Sequence, residues 1–375
     1  MRALPRLMAL VCLGFCATLA TAAPAQTPAQ VAPPAAQTDV TARIVAAAQA
    51  LLATLNQADR TKVQFPFDGP QKSGWSNFPT GIFKRAGLRL GDLTPPQRTA
   101  AMSLLSTALS PEGYRKIVEI MQGDEVLRKN DTGPGPGGPP PGGPPPRAPG
   151  DAPGGPGLTP GGPPRVAFGE DEYYLALIGP PSTTAPWMIQ FGGHHLAINL
   201  TLAGTEATLA PSLTGAQPAR FTIEGRTMRP LGSENDKAFD LINALDEGQR
   251  KRAILAYTVS DLVLGPGQDG RTIQPEGVRG SALTPAQQTM LLDLVREWAG
   301  IMNSAFAEPR MAEIRAHLAE TYFAWSGQTT NGSMAYFRVQ GPTLVIEYAP
   351  QRSIDHIHTI YRDPTNDYGK RYGSR

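Results

Sequence analysis

The chain has 375 residues and a nearly balanced charge, with 34 lysines and arginines against 32 aspartates and glutamates. The basic residues are scattered rather than clustered, which argues against a nucleic acid as partner. Both cysteines, Cys12 and Cys16, lie close to the amino terminus. If that terminus is removed as a signal peptide, the remaining chain has no cysteine for a disulfide or for a thiolate metal ligand.

The amino terminus has the composition of a secretory signal peptide. Arg2 and Arg6 give a basic start, residues 7–19 form an apolar run, and small residues at 20–22 offer a cleavage site. We therefore expect residues 1–22 to be removed and the protein to be periplasmic or secreted. The apolar run is too short to span a bilayer, and no later stretch is apolar enough, so no stable membrane anchor is expected.

Beyond the signal peptide, low-complexity segments alternate with helical patterns. Residues 23–38, rich in Pro, Ala and Gln, and residues 133–164, rich in Gly and Pro, have few apolar side chains to bury and are predicted to be disordered. Elsewhere, apolar residues at helical spacing predict helices, several of which open on threonine and proline. These helices are expected at 39–55, from 95 and from 111 onward, and at 234–247, 249–258 and 284–306.

After residue 171 the pattern changes to short β-rich runs. These runs predict strands at 173–178, 187–191, 195–202, 207–209, 337–339, 343–348 and 356–361. The last two are separated by a loop whose length suits a hairpin. The predicted class is therefore α+β, with helices packed on a mainly antiparallel sheet. We expect a single domain over residues 39–369, interrupted by the disordered Gly/Pro-rich loop at 133–164.

Four of the five histidines fall in two close pairs. His356 and His358 are two residues apart in a predicted strand, so their imidazoles project from one face. His194 and His195 are adjacent, and adjacent strand residues point to opposite faces unless the preceding Gly-Gly turn bends the chain. One of these two is therefore expected to be structural, and the sequence leaves open which one.

Together the two pairs predict a metal site with His194, His195, His356 and His358 as its candidate ligands. A three-histidine site with an open water position suits zinc, while copper or iron would also accept these donors. The competing interpretation is a polar sheet face on which His356 and His358 form hydrogen bonds and bind no metal. Convergence of the two pairs would favour the metal site.

Charged residues close to the second pair are candidates for the chemistry of such a site. Asp355, Glu347 or Asp367 would orient the metal ligands or move protons, since a ligating imidazole prefers a carboxylate on its other nitrogen. Arg362 would hold an anionic group of the substrate. The alternative is that the Arg362–Asp367 segment is a turn whose aspartates only cap it and pair with the arginine.

Several long sequence motifs resemble those of a known family. They are Trp75-Ser76-Asn77-Phe78-Pro79, Phe191-Gly192-Gly193-His194-His195-Leu196, Tyr322-Phe323-Ala324-Trp325-Ser326-Gly327 and His356-Ile357-His358-Thr359 with Arg362-Asp363-Pro364. From about residue 42 to 369 the chain resembles the family catalogued as domain of unknown function 3500. The resemblance implies an exported protein and no particular activity. The Gly/Pro-rich insertion departs from the family pattern.

These observations predict an exported metal-dependent enzyme that uses the paired histidines, with hydrolysis as the expected reaction. The substrate would be a small molecule or a peptide-like compound that the sequence does not identify. The alternative is a non-enzymatic periplasmic protein that binds a ligand or a metal in a pocket without turnover.

Overall fold

A computed structural model describes residues 34–130 and 166–373, and eight α-helices lie within this part of the chain. Four precede the Gly/Pro-rich segment and four follow it. None of the described helices combines the length and the apolar composition needed to cross a membrane. The helices are α1 Pro34–Thr54, α2 Gln57–Val63, α3 Pro95–Ala108, α4 Pro111–Asn130, α5 Gly232–Ala244, α6 Glu247–Ala253, α7 Pro285–Ala299 and α8 Ser304–Ala316.

The helix starts follow the capping chemistry that the sequence predicts. At the start of α7, Gln287 N–H donates to the Thr284 hydroxyl at 3.3 Å, while the Gln287 side chain accepts from Thr284 N–H at 2.8 Å. Asp246 and Gln249 form the same reciprocal pair at α6. The predicted helix at 284–306 is two helices, because the Asn303 side chain caps a new start at α8.

The helices pack on one large, mainly antiparallel sheet, so the predicted α+β class is confirmed. The strands are β1 Gln64–Phe65, β2 Leu88–Arg89, β3 Tyr174–Ile178, β4 Trp187–Gly193, β5 Leu196–Ala203, β6 Glu206–Thr208, β7 Ser212–Ala216, β10 Val278–Arg279, β11 Tyr322–Gly327, β12 Ala335–Gly341, β13 Leu344–Pro350 and β14 Ile357–Arg362, while β8 Phe221–Ile223 and β9 Arg226–Met228 form a separate hairpin. The strands of the large sheet run in the order β1-β3-β4-β5-β7-β14-β13-β12-β11-β10, with β2 beside β3 and β6 beside β5. Among the pairs of these described strands, only β1 and β3 run parallel.

Strand β7 joins the two halves of the sheet, because it pairs with a strand of each. It pairs with β5 through Leu196 and Thr214 on one side, and with β14 through Gly215 and His358 on the other. The sequence does not predict β7, because its short Ser212–Ala216 run contains a glycine and is bounded by prolines, all weak strand signals. The predicted hairpin of β13 and β14 is confirmed.

The two faces of the sheet have different coverings. On one face, Trp298 of α7 donates to the Thr359 hydroxyl at 2.8 Å and Arg310 of α8 donates to the Tyr361 hydroxyl at 2.9 Å. This face carries most of the apolar core. Because side chains alternate along a strand, His358 and Arg362 point to the opposite face. That face carries these polar side chains beside a small apolar cluster of Trp75, Ala197, Leu213 and Ile360, and irregular segments cover it.

A buried ion cluster joins three helices on the apolar side. Lys116 of α4 donates to Glu234 of α5 at 2.5 Å and contacts the Glu297 carboxylate of α7 at 3.3 Å. Glu234 is fully buried, and one of its carboxylate oxygens has no hydrogen-bond partner among the described residues. Charges this deep are tolerated only when they are paired, so the cluster fixes how these helices sit together.

Several predictions of domain organisation fall outside the described residues. These are the signal peptide at 1–22, part of the tail at 23–38 and the loop at 133–164. The first helix begins at Pro34, inside the segment predicted to be a disordered tail. The assignment of residues 39–369 to a single domain stays a prediction.

Candidate metal centre

A tight turn between β4 and β5 carries the first histidine pair. His195 has a left-handed backbone with φ 61°, which reverses the chain and brings its side chain to the polar face of the sheet. Its backbone is held on both sides, since His195 N–H donates to Asn77 O at 3.1 Å and Gly215 N–H donates to His195 O at 2.7 Å. The turn therefore delivers His195 beside β7, next to the position that pairs with His358.

Three imidazoles converge at this point. His195 Nε2 lies 2.9 Å from His356 Nε2, and His356 Nε2 lies 3.1 Å from His358 Nε2. One ligand atom from each of the three residues lies within 4.8 Å of the others. Nitrogens bound to one tetrahedral ion at 2.0–2.1 Å stand about 3.3 Å apart, so the observed spacing is close to that of a shared metal.

Hydrogen bonds among the imidazoles alone cannot satisfy all three nitrogens in this geometry. His356 Nε2 has a single hydrogen or a single lone pair, yet it faces two other Nε2 atoms. Three lone pairs directed at one cation would satisfy all three nitrogens at once. His356 lies in the bend just before β14 and His358 lies within the strand, and their rings stand at 89° to each other.

Burial keeps two of these imidazoles neutral. It lowers the pKa of His195 well below its ordinary value of 6.5, with a further lowering from the neighbouring histidines. Burial also lowers the pKa of His356, which is only partly exposed, to about 4, again with help from His358. A metal binds the neutral form of imidazole, so these nitrogens are ready to ligate at physiological pH.

The lowered pKa values predict how the stability of the metal-free protein depends on pH. In the unfolded chain both histidines titrate near 6.5, whereas folded His356 titrates near 4 and His195 also well below 6.5. The unfolded state therefore binds more protons below 6.5, and stability falls as the pH drops from 6.5 toward 4. The largest slope is about 1.4 kcal/mol per pH unit for fully buried His195 and less for half-exposed His356.

Urea unfolding of the metal-free protein at pH 7, 6 and 5 measures this slope. The variant His195→Gln, which cannot titrate, is the control and is expected to show a shallower loss of stability. Equal slopes in the parent and in His195→Gln would show that the imidazole does not contribute.

Gly215 makes the room in which His195 and His358 meet. A Cβ added at Gly215 would lie 2.8 Å from Ile357 O and 3.0 Å from the His195 ring. We expect Gly215→Ala to push the imidazole from its position, to cost about 1–3 kcal/mol of stability and to weaken zinc binding about tenfold. Titration calorimetry measures the affinity. Gly373→Ala is the matched control, because nothing lies within 4 Å of its added Cβ, and equal affinities for the two variants would contradict the role of Gly215.

Two side chains that the sequence does not single out complete the surroundings of the three histidines. Asp261 Oδ1 lies 3.7 Å from His358 Nδ1, which leaves His358 Nε2 free to face the other imidazoles. The Asn77 amide lies 3.4 Å from His358 Nε2. Asn77 belongs to the Trp75–Pro79 motif, which carries part of the family resemblance, and that motif could have marked Asn77 as a site residue. Asp261 has no such signal, since only the fold brings its loop to the sheet.

His194 does not join the group of three. Its side chain is buried on the other side of the turn, where Nδ1 lies 2.6 Å from Asp124 Oδ1. Its ring centroid is nonetheless only 3.7 Å from that of His195. The turn therefore gives His194 and His195 different partners, and only His195 faces His356 and His358.

Two of the predicted carboxylates lie outside the group and already have structural partners. Exposed Asp355 accepts a hydrogen bond from Ala219 N–H at 2.9 Å. Fully buried Glu347 accepts from the backbone N–H groups of Val263 and Leu264 at 2.9 and 2.7 Å, and from a tyrosine hydroxyl. Glu347 therefore fastens the covering segment to the polar face of the sheet.

Arg362 and Asp367 form a second cluster further along β14. Arg362 donates to Asp269 at 3.0 Å, to Asp367 at 2.8 Å and to two backbone carbonyls, so its guanidinium is engaged within the protein. Burial raises the pKa of Asp367, although Arg362 opposes that rise. This arginine lies four positions beyond His358 along β14, a distance of about 13 Å. The structure does not bring this pair to the histidines.

Comparison with known proteins adds a family and no activity. The model of the family described as "Protein of unknown function (DUF3500)" matches residues 37–370, nearly the whole chain. No curated protein and no solved structure matched.

Proposed function

Because the chain belongs to the family "Protein of unknown function (DUF3500)", whose description names no activity, we propose a function from the site itself. The protein binds one divalent transition metal ion through the Nε2 atoms of His195, His356 and His358 and acts as a metal-dependent hydrolase. The observation that carries this proposal is the convergence of three imidazole nitrogens from segments 161 residues apart.

The donor set favours zinc among the possible metals. Three neutral nitrogen ligands suit zinc, and a catalytic zinc site keeps its fourth position open for water or substrate. Copper and iron also accept imidazole and stay as alternatives. His356 is partly exposed, so solvent or substrate would reach the open fourth position of the ion from that side.

Hydrolysis is the reaction that the surroundings support best. A divalent ion in such a site lowers the pKa of a water molecule and polarises a carbonyl or phosphoryl oxygen. Asn77, 3.4 Å from His358 Nε2, places an amide where it would hydrogen-bond and orient a substrate oxygen. The substrate would be a small molecule or a peptide-like compound.

Asp261 would support the proposed site from behind His358. A carboxylate near the outer nitrogen of a ligating imidazole fixes its tautomer and raises its basicity. Asp261 is largely exposed, so we expect the smaller effect of this kind, a roughly tenfold weaker zinc affinity in Asp261→Asn. Competition with a chromophoric chelator measures it. Asp355→Asn, a nearby exposed aspartate bonded to Ala219, is the control that should leave affinity unchanged.

The enzymatic part of the proposal is tested with activated substrates. Zinc-loaded protein is assayed with p-nitrophenyl acetate and bis(p-nitrophenyl) phosphate, beside the variant His356→Ala/His358→Ala. We expect metal-dependent turnover of at least one ester that the variant lacks. A parent that binds zinc and hydrolyses neither these esters nor a peptide library would instead be a metal-binding protein without this activity.

The proposal also includes a location outside the cytoplasm. It is supported by the basic, apolar and small-residue order of residues 1–22. Fractionation of cells that express the full chain tests it. Recovery of a shortened protein from the periplasm or medium is expected, and retention of the full-length chain in the cytoplasm would contradict it.

A further inference from the structure

A buried carboxylate and imidazole lie directly behind the proposed metal ligand His195. We infer that Asp124 and His194 form a positioning pair, which holds the His195 ring in place for the metal and sets a buried negative charge behind it. This inference rests on the proposed metal site and adds a second layer to it.

The first step is the bond within the pair. Asp124, only 2% exposed, extends from α4, and its Oδ1 lies 2.6 Å from His194 Nδ1. Its other oxygen accepts a hydrogen bond from Gly169 N–H at 2.7 Å. Since a carboxylate only accepts hydrogen bonds, the proton between the two residues sits on His194 Nδ1. Both oxygens of the carboxylate are thus engaged, and its orientation is fixed.

The second step is the contact between the two imidazoles. The His194 ring lies 3.7 Å from the His195 ring and 5.0 Å from the Phe168 ring, measured between centroids. The turn itself is anchored, because the Tyr173 hydroxyl donates to His194 O at 2.8 Å. A ring held by Asp124 and packed in this way leaves the His195 ring little freedom to turn from the other two ligands.

The third step is charge. His195, His356 and His358 are neutral donors, so they bring no negative charge to balance a dication. A buried, unbalanced cation is costly, and a nearby anion acts strongly where water is excluded. Asp261 lies on the exposed side of the site, where solvent screens it, whereas the Asp124 carboxylate is buried behind His194.

Zinc affinity and a cobalt spectrum test the pair. We expect Asp124→Asn to weaken zinc binding by about 10- to 100-fold, the usual effect of losing an outer-layer partner, and to shift the visible bands of the cobalt-substituted protein. Glu119→Gln is the matched control, because it removes a carboxylate from the same helix that pairs only with exposed Arg115 among the described residues. A folded Asp124→Asn protein with parental affinity and spectrum would overturn the inference.

A second variant covers the case in which Asp124→Asn does not fold. His194→Phe keeps a flat ring against His195 but loses the hydrogen bond to Asp124, so it too should weaken zinc binding by at least tenfold. Parental zinc affinity in folded His194→Phe would overturn the inference on its own.

The metal-free protein separates failure of the pair from failure of the proposed function. Proton NMR of the parent should show a downfield His194 Nδ1–H signal, and Asp124→Asn should remove it and shift the His195 ring signals. If the parent binds no zinc, the proposed function and the charge effect both fail. If the His195 signals do not move, the positioning role fails whether or not zinc binds.

Discussion

Replacing His195 with alanine is expected to lower the affinity for zinc by roughly 100- to 1,000-fold. Structural zinc sites with four ligands bind with about 10–16 kcal/mol, so each ligand accounts for about 3 kcal/mol, and 1.4 kcal/mol is a factor of ten. His195 is buried and its Nε2 lies 2.9 Å from His356 Nε2, so its removal would leave the ion with two of the three imidazole ligands.

Competition between the protein and a chromophoric chelator measures this loss. His317→Ala is the control, because His317 lies outside the group at the end of α8 and is partly exposed beside Glu320. Its zinc affinity should equal that of the parent. A His195→Ala protein that is folded by circular dichroism and binds zinc within threefold of the parent would exclude His195 as a ligand.

Replacing Lys116 with methionine is expected to cost about 3–5 kcal/mol of unfolding free energy. Burial alone lowers the pKa of Lys116, but Glu234 and Glu297 outweigh it and the net shift is upward, so the ammonium is charged. Without it, the carboxylate of fully buried Glu234 keeps no charged partner among the described residues. Burial already raises the pKa of Glu234, which shows how unfavourable its charge is in that position.

Urea unfolding measures this loss, and a double variant tests its cause. Lys116→Met/Glu234→Leu removes both charges, and we expect it to recover most of the stability, because well-packed apolar residues replace buried ion pairs at little cost. Lys129→Met, on the exposed end of the same helix, should change stability by less than about 0.5 kcal/mol. A double variant no more stable than Lys116→Met would show that the stranded carboxylate is not the reason.

Local sequence patterns were enough for the fold class and for half of the site. The i, i+2 spacing of His356 and His358 predicts that they lie close together and rests only on neighbours in the chain, although β14 begins at Ile357 and His356 lies in the bend just before it. The same holds for the hairpin of β13 and β14 and for the capped helix starts. These features depend on a few consecutive residues, whose spacing can be read directly.

The remainder of the site depends on contacts between distant segments. His195 reaches the second pair because β7 lies between β5 and β14, and because Gly215 has no side chain. Asp261 arrives on an irregular segment, to which spacing rules do not apply. Strand alternation also did not fix the roles of His194 and His195, since both lie in the turn between the strands.

Charged residues near a histidine in sequence are a weaker guide than the pattern of the histidines. Glu347 and Arg362 face the same side of the sheet as His358, yet both are engaged by the segment that covers that face. A buried carboxylate or guanidinium needs several partners, and a sequence does not show whether a ligand or the protein supplies them. Here backbone N–H groups and carbonyls supply most of them.

The most direct test of the metal centre is elemental analysis of the purified protein from residue 23 onward, which keeps the whole of α1. After incubation with zinc and removal of excess metal, we expect about one ion per chain in the parent. We expect none in a still-folded His356→Ala/His358→Ala variant. A parent that stays metal-free after incubation with zinc, copper and iron in turn would contradict the metal centre, and the convergence of His195, His356 and His358 would then need another explanation.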